Sequence, residues 1–138
     1  MDYPGTPHHA STTILNPDTN GLDFRVNAGP SAPGGVLAGS RAVLGDDTMG
    51  YIKVETAFVG SGVKVGNVVA SSYTRVPLSF DKAVAGGQNF VNNVNAMQIR
   101  YNPLGINSNT IAHGLPVYLG GSRAQPPVWA PGSARPFP

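Results

Sequence analysis

The feature that most constrains the fold of this chain is its content of glycine and proline. There are 18 Gly and 13 Pro among 138 residues, about twice their usual combined share. Both residue types disfavour helix interiors, and both punctuate turns. The composition therefore argues against a helical bundle and predicts short strands joined by many turns.

The length is that of one domain. A chain of 138 residues buries about 68% of the surface that its unfolded form exposes, which is enough for a single core. There is no Cys, so disulfides, thiolate metal sites and cysteine nucleophiles are excluded. The first ten residues lack the basic and apolar regions of a secretion signal. We therefore expect the chain to be made and to fold in the cytoplasm.

Apolar residues recur at every second position in four segments, which places them on one face of a strand. This alternation predicts strands at 22–26, 52–58, 75–81 and 97–101. Weaker candidates bring the total to about eight strands: 12–15, 36–44, 63–70 and 115–119.

Turn signals separate these segments. Asn20-Gly21 predicts a hairpin, since a type I′ turn takes positive φ at both central residues, and Gly86-Gly87 predicts a break in the chain. Phe90, Val94 and Met97 also fit one face of a helix, but the Asn residues between them disfavour a stable helix.

The predicted fold is all-β, an antiparallel β-sandwich of about eight short strands. We expect an extended N-terminal arm at 1-10, the β-sandwich domain at 11-120 and a Pro-rich C-terminal arm at 121-138. Disordered tails are poor in aromatic residues, whereas the C-terminal arm holds Trp129 and Phe137. Prolines reduce the entropy lost on docking. We therefore expect this arm to dock on its own domain, a sister subunit or a partner.

No group of residues in the sequence predicts catalysis or a metal site. On an extended chain the adjacent His8 and His9 point in opposite directions, and His113 is expected in a loop. The string 16–21 resembles the opening of a calcium loop, but its twelfth position is Asn27 instead of Glu, which favours a hairpin turn. The acidic residues are scattered. We therefore expect no enzyme activity, no catalytic, cofactor-binding or metal residues, and no cofactor.

Nucleic acid and membrane are not expected as direct partners. The six Arg residues are spread along the chain without a run, which is unlike a basic track for nucleic acid. The glycines of 60–66 have the wrong spacing for a phosphate-binding loop. No apolar run is long enough to cross a bilayer.

Charged residues make up only 12% of the chain, about half the usual share. Soluble monomers normally have surfaces that are about 25–35% charged. Here the polar residues are mostly Asn, Ser, Thr and Gly, whose short side chains suit a surface that becomes buried in an interface. Together with the aromatic arms, this composition favours a structural protein that attaches to a large assembly.

In these features the chain resembles the cement, or decoration, proteins of tailed-bacteriophage heads. The likeness covers the whole chain, from the Pro-rich ends 1–10 and 125–138 to the cysteine-free, Gly/Asn/Thr-rich segments 22–119. It implies a jelly-roll-like β-sandwich on the outer capsid surface of the virion. It also implies a homo-oligomer, a dimer or trimer, that bridges major capsid subunits and stabilises the DNA-filled head.

We expect the arms to contact the major capsid protein. Tyr3, Trp129 and Phe137 are the predicted aromatic anchors. Arg123 and Arg135 are predicted to donate hydrogen bonds to carboxylates or backbone oxygens. A competing interpretation is that Trp129 caps the chain's own core.

Two other function classes stay open. A carbohydrate-binding β-sandwich module of a viral fibre or lectin-like protein needs exposed aromatic residues near Asn and Asp, and Tyr51, Tyr73 and Tyr118 are candidates. A β-sandwich hydrolase is the weaker alternative, because the sequence shows no acid–base pair.

Overall fold

The computed structural model describes residues 10–31, 50–61, 73–102 and 105–122. These residues form one three-stranded antiparallel sheet, of order β1-β2-β3, and two helices. The elements are β1 (Thr12–Ile14), β2 (Leu22–Pro30), β3 (Ile52–Gly60), α1 (Phe80–Met97) and α2 (Ser108–Tyr118).

The prediction of an all-β, jelly-roll-like sandwich is wrong. The described part of the chain is mixed α/β, 35% helical and 28% strand. The predicted strands at 12–15, 22–26 and 52–58 are confirmed, whereas 115–119 lies largely in α2 and 75–81 leads into α1. The predicted strands at 36–44 and 63–70 fall outside the described residues.

The central strand, β2, supplies the inner face of the sheet. Its alternate residues Phe24, Val26 and Ala28 are buried. In the register of the sheet, Phe24 lies between Ile14 of β1 and Phe58 of β3. The period-2 pattern therefore has its expected cause, because alternate residues of β2 lie on the face that packs into the core.

A hairpin joins β1 to β2, as predicted, but its turn is not type I′. Neither Asn20 nor Gly21 has positive φ. The side chain of Asn16 accepts from Asp18 N (2.9 Å), and that of Asp18 accepts from Asn20 N (3.0 Å). The loop is therefore built from Asx turns. The buried Asp23 closes it by accepting from Asn16 N (2.8 Å).

Helix α1 covers the inner face of the sheet. It begins after Ser79, whose hydroxyl accepts from Lys82 N (3.3 Å), a standard N-cap. At Gly87 an added Cβ would lie 3.3 Å from Ile14 Cδ1 and 3.4 Å from Phe24 Cε2. Gly87 is therefore a point of close approach between helix and sheet, and the chain break predicted at Gly86-Gly87 is wrong. The buried residues of this helix are Ala83, Gly87, Phe90, Val91 and Val94.

The outer edge of β3 is closed where α1 ends. The Asn95 side chain accepts from Val54 N (2.8 Å) and donates to Val54 O (3.0 Å). Beyond it, residues 99–101 pair with the start of β3 through Ile52 N to Ile99 O (2.7 Å). The strand predicted at 97–101 is therefore reduced to a short bridge.

Helix α2 completes the core beside α1. Its apolar residues Ile111 and Leu115 are buried, as is Leu119 just after the helix. Pro116 lies inside the last turn, and the chain then turns at Gly120, which has φ +91°. The core is thus a single layer of apolar side chains between one sheet face and two helices.

Candidate functional site

A groove of about 950 Å³ opens beside β1. One wall is formed by Ser11–Pro17, which includes β1 and the start of the hairpin. The opposite wall is formed by residues 73–79 and the first turn of α1, and its floor includes the buried residues Ala83, Leu115 and Leu119. The groove combines an apolar floor with hydroxyl-bearing walls, a lining that is typical of ligand-binding sites.

The wall on the β1 side is fixed in place by contacts across the sequence. On one side β1 pairs with β2. Thr12 Oγ1 donates to Ala112 O in α2 (2.6 Å), and Ala10 N donates to the Asn109 side chain (2.6 Å). The remaining edge of β1 lines the groove.

The opposite wall is irregular and includes the exposed ring of Tyr73, which is 80% accessible to solvent. Thr74 Oγ1 donates to Ser122 O at 3.5 Å. Gly121 packs against Arg75 and Val76. The chain therefore passes along this wall as it leaves α2.

Four consecutive polar residues, 107–110, are buried at the start of α2. Asn107 is the N-cap: its side chain accepts from Asn109 N (2.9 Å), and its own N–H donates to Thr110 Oγ1 (3.1 Å). Ser108 Oγ lies 3.4 Å from the Tyr101 hydroxyl. This pattern is a capping box, and its polar groups satisfy one another and the helix end.

The capping box therefore serves the fold, since its residues join the start of α2 to Tyr101 through Ser108 and to Ala10 through Asn109. These residues were not among those predicted from the sequence. The signal was present, because Asn107 followed by Thr110 precedes the apolar residues Ile111, Ala112 and Leu115, which is a helix-start pattern.

The absence of catalytic and metal sites stays a prediction. His113 was expected in a loop, but it lies in α2, is buried and lines the groove. Within the four described stretches, no three His, Cys, Asp or Glu residues come together as a metal site. The acidic residues Asp23, Glu55 and Asp81 lie on β2, β3 and α1, respectively.

The five predicted partner contacts lie outside the described residues. They are Tyr3, Arg123, Trp129, Arg135 and Phe137. The aromatic residues of the carbohydrate hypothesis are all exposed, but they lie on different parts of the fold. Tyr51 precedes β3, Tyr73 lines the groove, and Tyr118 ends α2 with its ring 5.1 Å from that of Phe90.

A second exposed feature lies at the end of the sheet where β2 begins and β3 ends. Leu22 and Phe58, named here the sheet-end patch, occupy positions on the same sheet face as the core, yet they are 50% and 55% exposed. The Phe58 ring lies 5.1 Å from that of the buried Phe24. The apolar face of the sheet therefore continues into solvent beyond the buried core.

Comparisons with known proteins do not place the chain in a family. No family model, curated protein or solved structure matches it. In the described part of the chain, neither helix combines the length and the apolar character needed to cross a membrane.

Proposed function

We propose that this chain is a structural protein that binds the outer surface of a phage capsid and holds neighbouring major capsid subunits together. The observation that carries the proposal is the exposed sheet-end patch of Leu22 and Phe58 on a chain with only 12% charged residues. The jelly-roll fold that the resemblance implied is not part of the proposal.

The sheet-end patch has the chemistry of an interface centre. Apolar and aromatic side chains with few charges are typical of the buried core of protein interfaces. The Phe58 ring packs against the buried Phe24 ring. Its side chain therefore loses little conformational entropy when a partner binds. An exposed aromatic residue held in this way is suited to anchor a contact.

Stabilisation of a capsid requires no chemistry beyond binding. A protein that binds the assembled shell and not its separated subunits stabilises the shell by mass action. Repetition of the same contact around a symmetric lattice adds avidity to modest individual affinities. The proposal includes self-association as a dimer or trimer, and contacts from Tyr3, Arg123, Trp129, Arg135 and Phe137.

Sedimentation of a gentle lysate from the native source tests this function directly. The chain, followed by mass spectrometry, is expected to travel with megadalton particles in a fixed ratio to one larger protein. Its recovery in the slow fractions alone would contradict the capsid proposal.

Variants of the purified protein, added to particles that lack it, test the contacts. Phe58→Ser is expected to weaken binding about tenfold or more. Met97→Ser, at a similarly exposed position on the last turn of α1, is the matched control and should leave binding unchanged.

Truncation after Gly121 is expected to weaken binding through loss of the C-terminal arm. Equal binding by the truncated and full-length chains would remove that arm from the interface.

A second candidate function is carbohydrate binding in the groove, and the exposed ring of Tyr73 favours it. The Tyr73 ring on one wall and the hydroxyl groups of Ser11 and Thr13 on the other offer both stacking and hydrogen bonds to a sugar. A glycan array would reveal such binding, with loss expected in Tyr73→Ala and retention in Tyr73→Phe. If no glycan on the array binds the protein, carbohydrate binding is excluded as its function.

A further inference from the structure

The groove beside β1 is an apolar-floored channel of about 950 Å³, and its exposed lining includes Leu15 and Leu78. Its β1 wall, Ser11–Pro17, includes the extended strand Thr12–Ile14. An apolar channel beside an extended strand suits an extended segment with one or two large apolar side chains.

The chain itself passes this groove as it leaves α2. Gly121 N donates to Pro116 O (2.8 Å), and Ser122 O accepts from Thr74 on the groove wall (3.5 Å). Any segment that follows Ser122 therefore starts at the groove and is tethered there. A tether of a few residues provides an effective concentration in the millimolar range.

The segment that follows has a suitable sequence. Residues 125–131 read Gln-Pro-Pro-Val-Trp-Ala-Pro, in which proline favours extended backbone at about 3.1 Å per residue. Trp129 lies seven residues after Ser122, which gives it a reach of about 22 Å in polyproline geometry. Proline-rich segments commonly dock in grooves lined by aromatic side chains, and this groove contains Tyr73 and Phe80.

We propose that residues 125–131 of the same chain occupy the groove beside β1 in the free protein, with the Trp129 indole on its apolar lining. The proposal concerns the free protein and does not depend on the capsid function. If both hold, the capsid surface competes with the groove for Trp129.

Fluorescence tests the proposal, because Trp129 is the only Trp in the chain. In the folded full-length protein its emission is expected to be blue-shifted from that of the urea-unfolded chain and protected from acrylamide. The double variant Leu15→Asn/Leu78→Asn, which changes two exposed groove residues, is expected to move the emission to that of the unfolded chain. Circular dichroism checks that this variant remains folded.

The matched control is Leu22→Asn/Met97→Asn, which changes two exposed apolar residues outside the groove and is expected to leave the emission unchanged. Emission like that of the unfolded chain in the unmodified protein would overturn the proposal. So would equal shifts in the two double variants, or a blue shift that neither of them changes. Loss of the blue shift on dilution would assign the groove to a second copy and would also overturn it.

Discussion

Asn95 lies on α1, yet it acts on the sheet. Its amide is bonded to both backbone polar groups of Val54, so it takes the place of a neighbouring strand at that position. Val54 is buried, and water is a poor alternative partner for its N–H and C=O groups. The geometry requires a donor and an acceptor on one planar group, which an amide side chain supplies.

We predict that Asn95→Ala lowers the free energy of unfolding by about 2–4 kcal/mol, because the N–H and C=O groups of Val54 lose their partners. Asn93→Ala is the matched control: Asn93 is exposed on the same helix, and its replacement should change stability by less than about 0.5 kcal/mol. Urea denaturation measures both. Equal stabilities of the two variants would mean that Val54 finds other partners.

Helix α2 ends at a turn that is formed by Gly120. Gly120 has φ +91°, a conformation that side-chain-bearing residues rarely adopt. Its N–H donates to Val117 O (3.0 Å), which satisfies one of the last carbonyls of the helix. The turn also directs the following residues along the groove wall.

Gly120→Ala is therefore expected to destabilise the protein by about 1–2 kcal/mol, through left-handed strain. Gly29→Ala, in β2, is the contrasting case, since its φ is not positive and an added Cβ would have nothing within 4 Å. There we expect no loss, or a gain of up to about 1 kcal/mol from the restricted unfolded chain. Thermal melting measures the stability of both variants. If Gly29→Ala lost as much stability as Gly120→Ala, the positive φ of Gly120 would not be the cause of its loss.

The alternation of apolar residues predicted β1, β2 and β3 but neither helix. The two helices were missed for different reasons. In α1, Gly86 and Gly87 imitate a turn signal, but Gly87 is needed for close packing against β1 and β2. The Asn residues of α1 lower its helix propensity, and packing of its apolar face overrides that loss. In α2, Pro116 disfavours a helix interior, and the apolar run at 115–119 is short enough to be a strand. Both features led to the wrong prediction of a strand there.

For the molecule as a whole, contacts between distant parts of the sequence decide where the groove lies. Thr12 and Ala112 are bonded across 100 positions, and Thr74 and Ser122 across 48. No local pattern in the sequence signals either pair. The sequence therefore predicted the strand that lines the groove but not the groove itself.

The attachment of β1 to α2 predicts where the molecule opens first. Thr12→Val removes the hydroxyl that bonds Ala112 O, at a cost of about 1 kcal/mol, and should accelerate amide exchange in β1 about fivefold through local opening. Thr13→Val, at a neighbouring position on the opposite face, is the control. Native-state hydrogen exchange measures both. Equal acceleration in β2 would show that β1 opens only with the whole sheet.

The bond between Thr12 and Ala112 also has a consequence for synthesis on the ribosome. Translation adds about 5–20 residues per second, so the partner of Thr12 is made about 5–20 s after Thr12 itself. During that interval the nascent chain carries β1 without the helix that holds it in place. The first described strand to leave the ribosome is thus among the last to be secured, and a chaperone that shields it would improve the yield of folded protein.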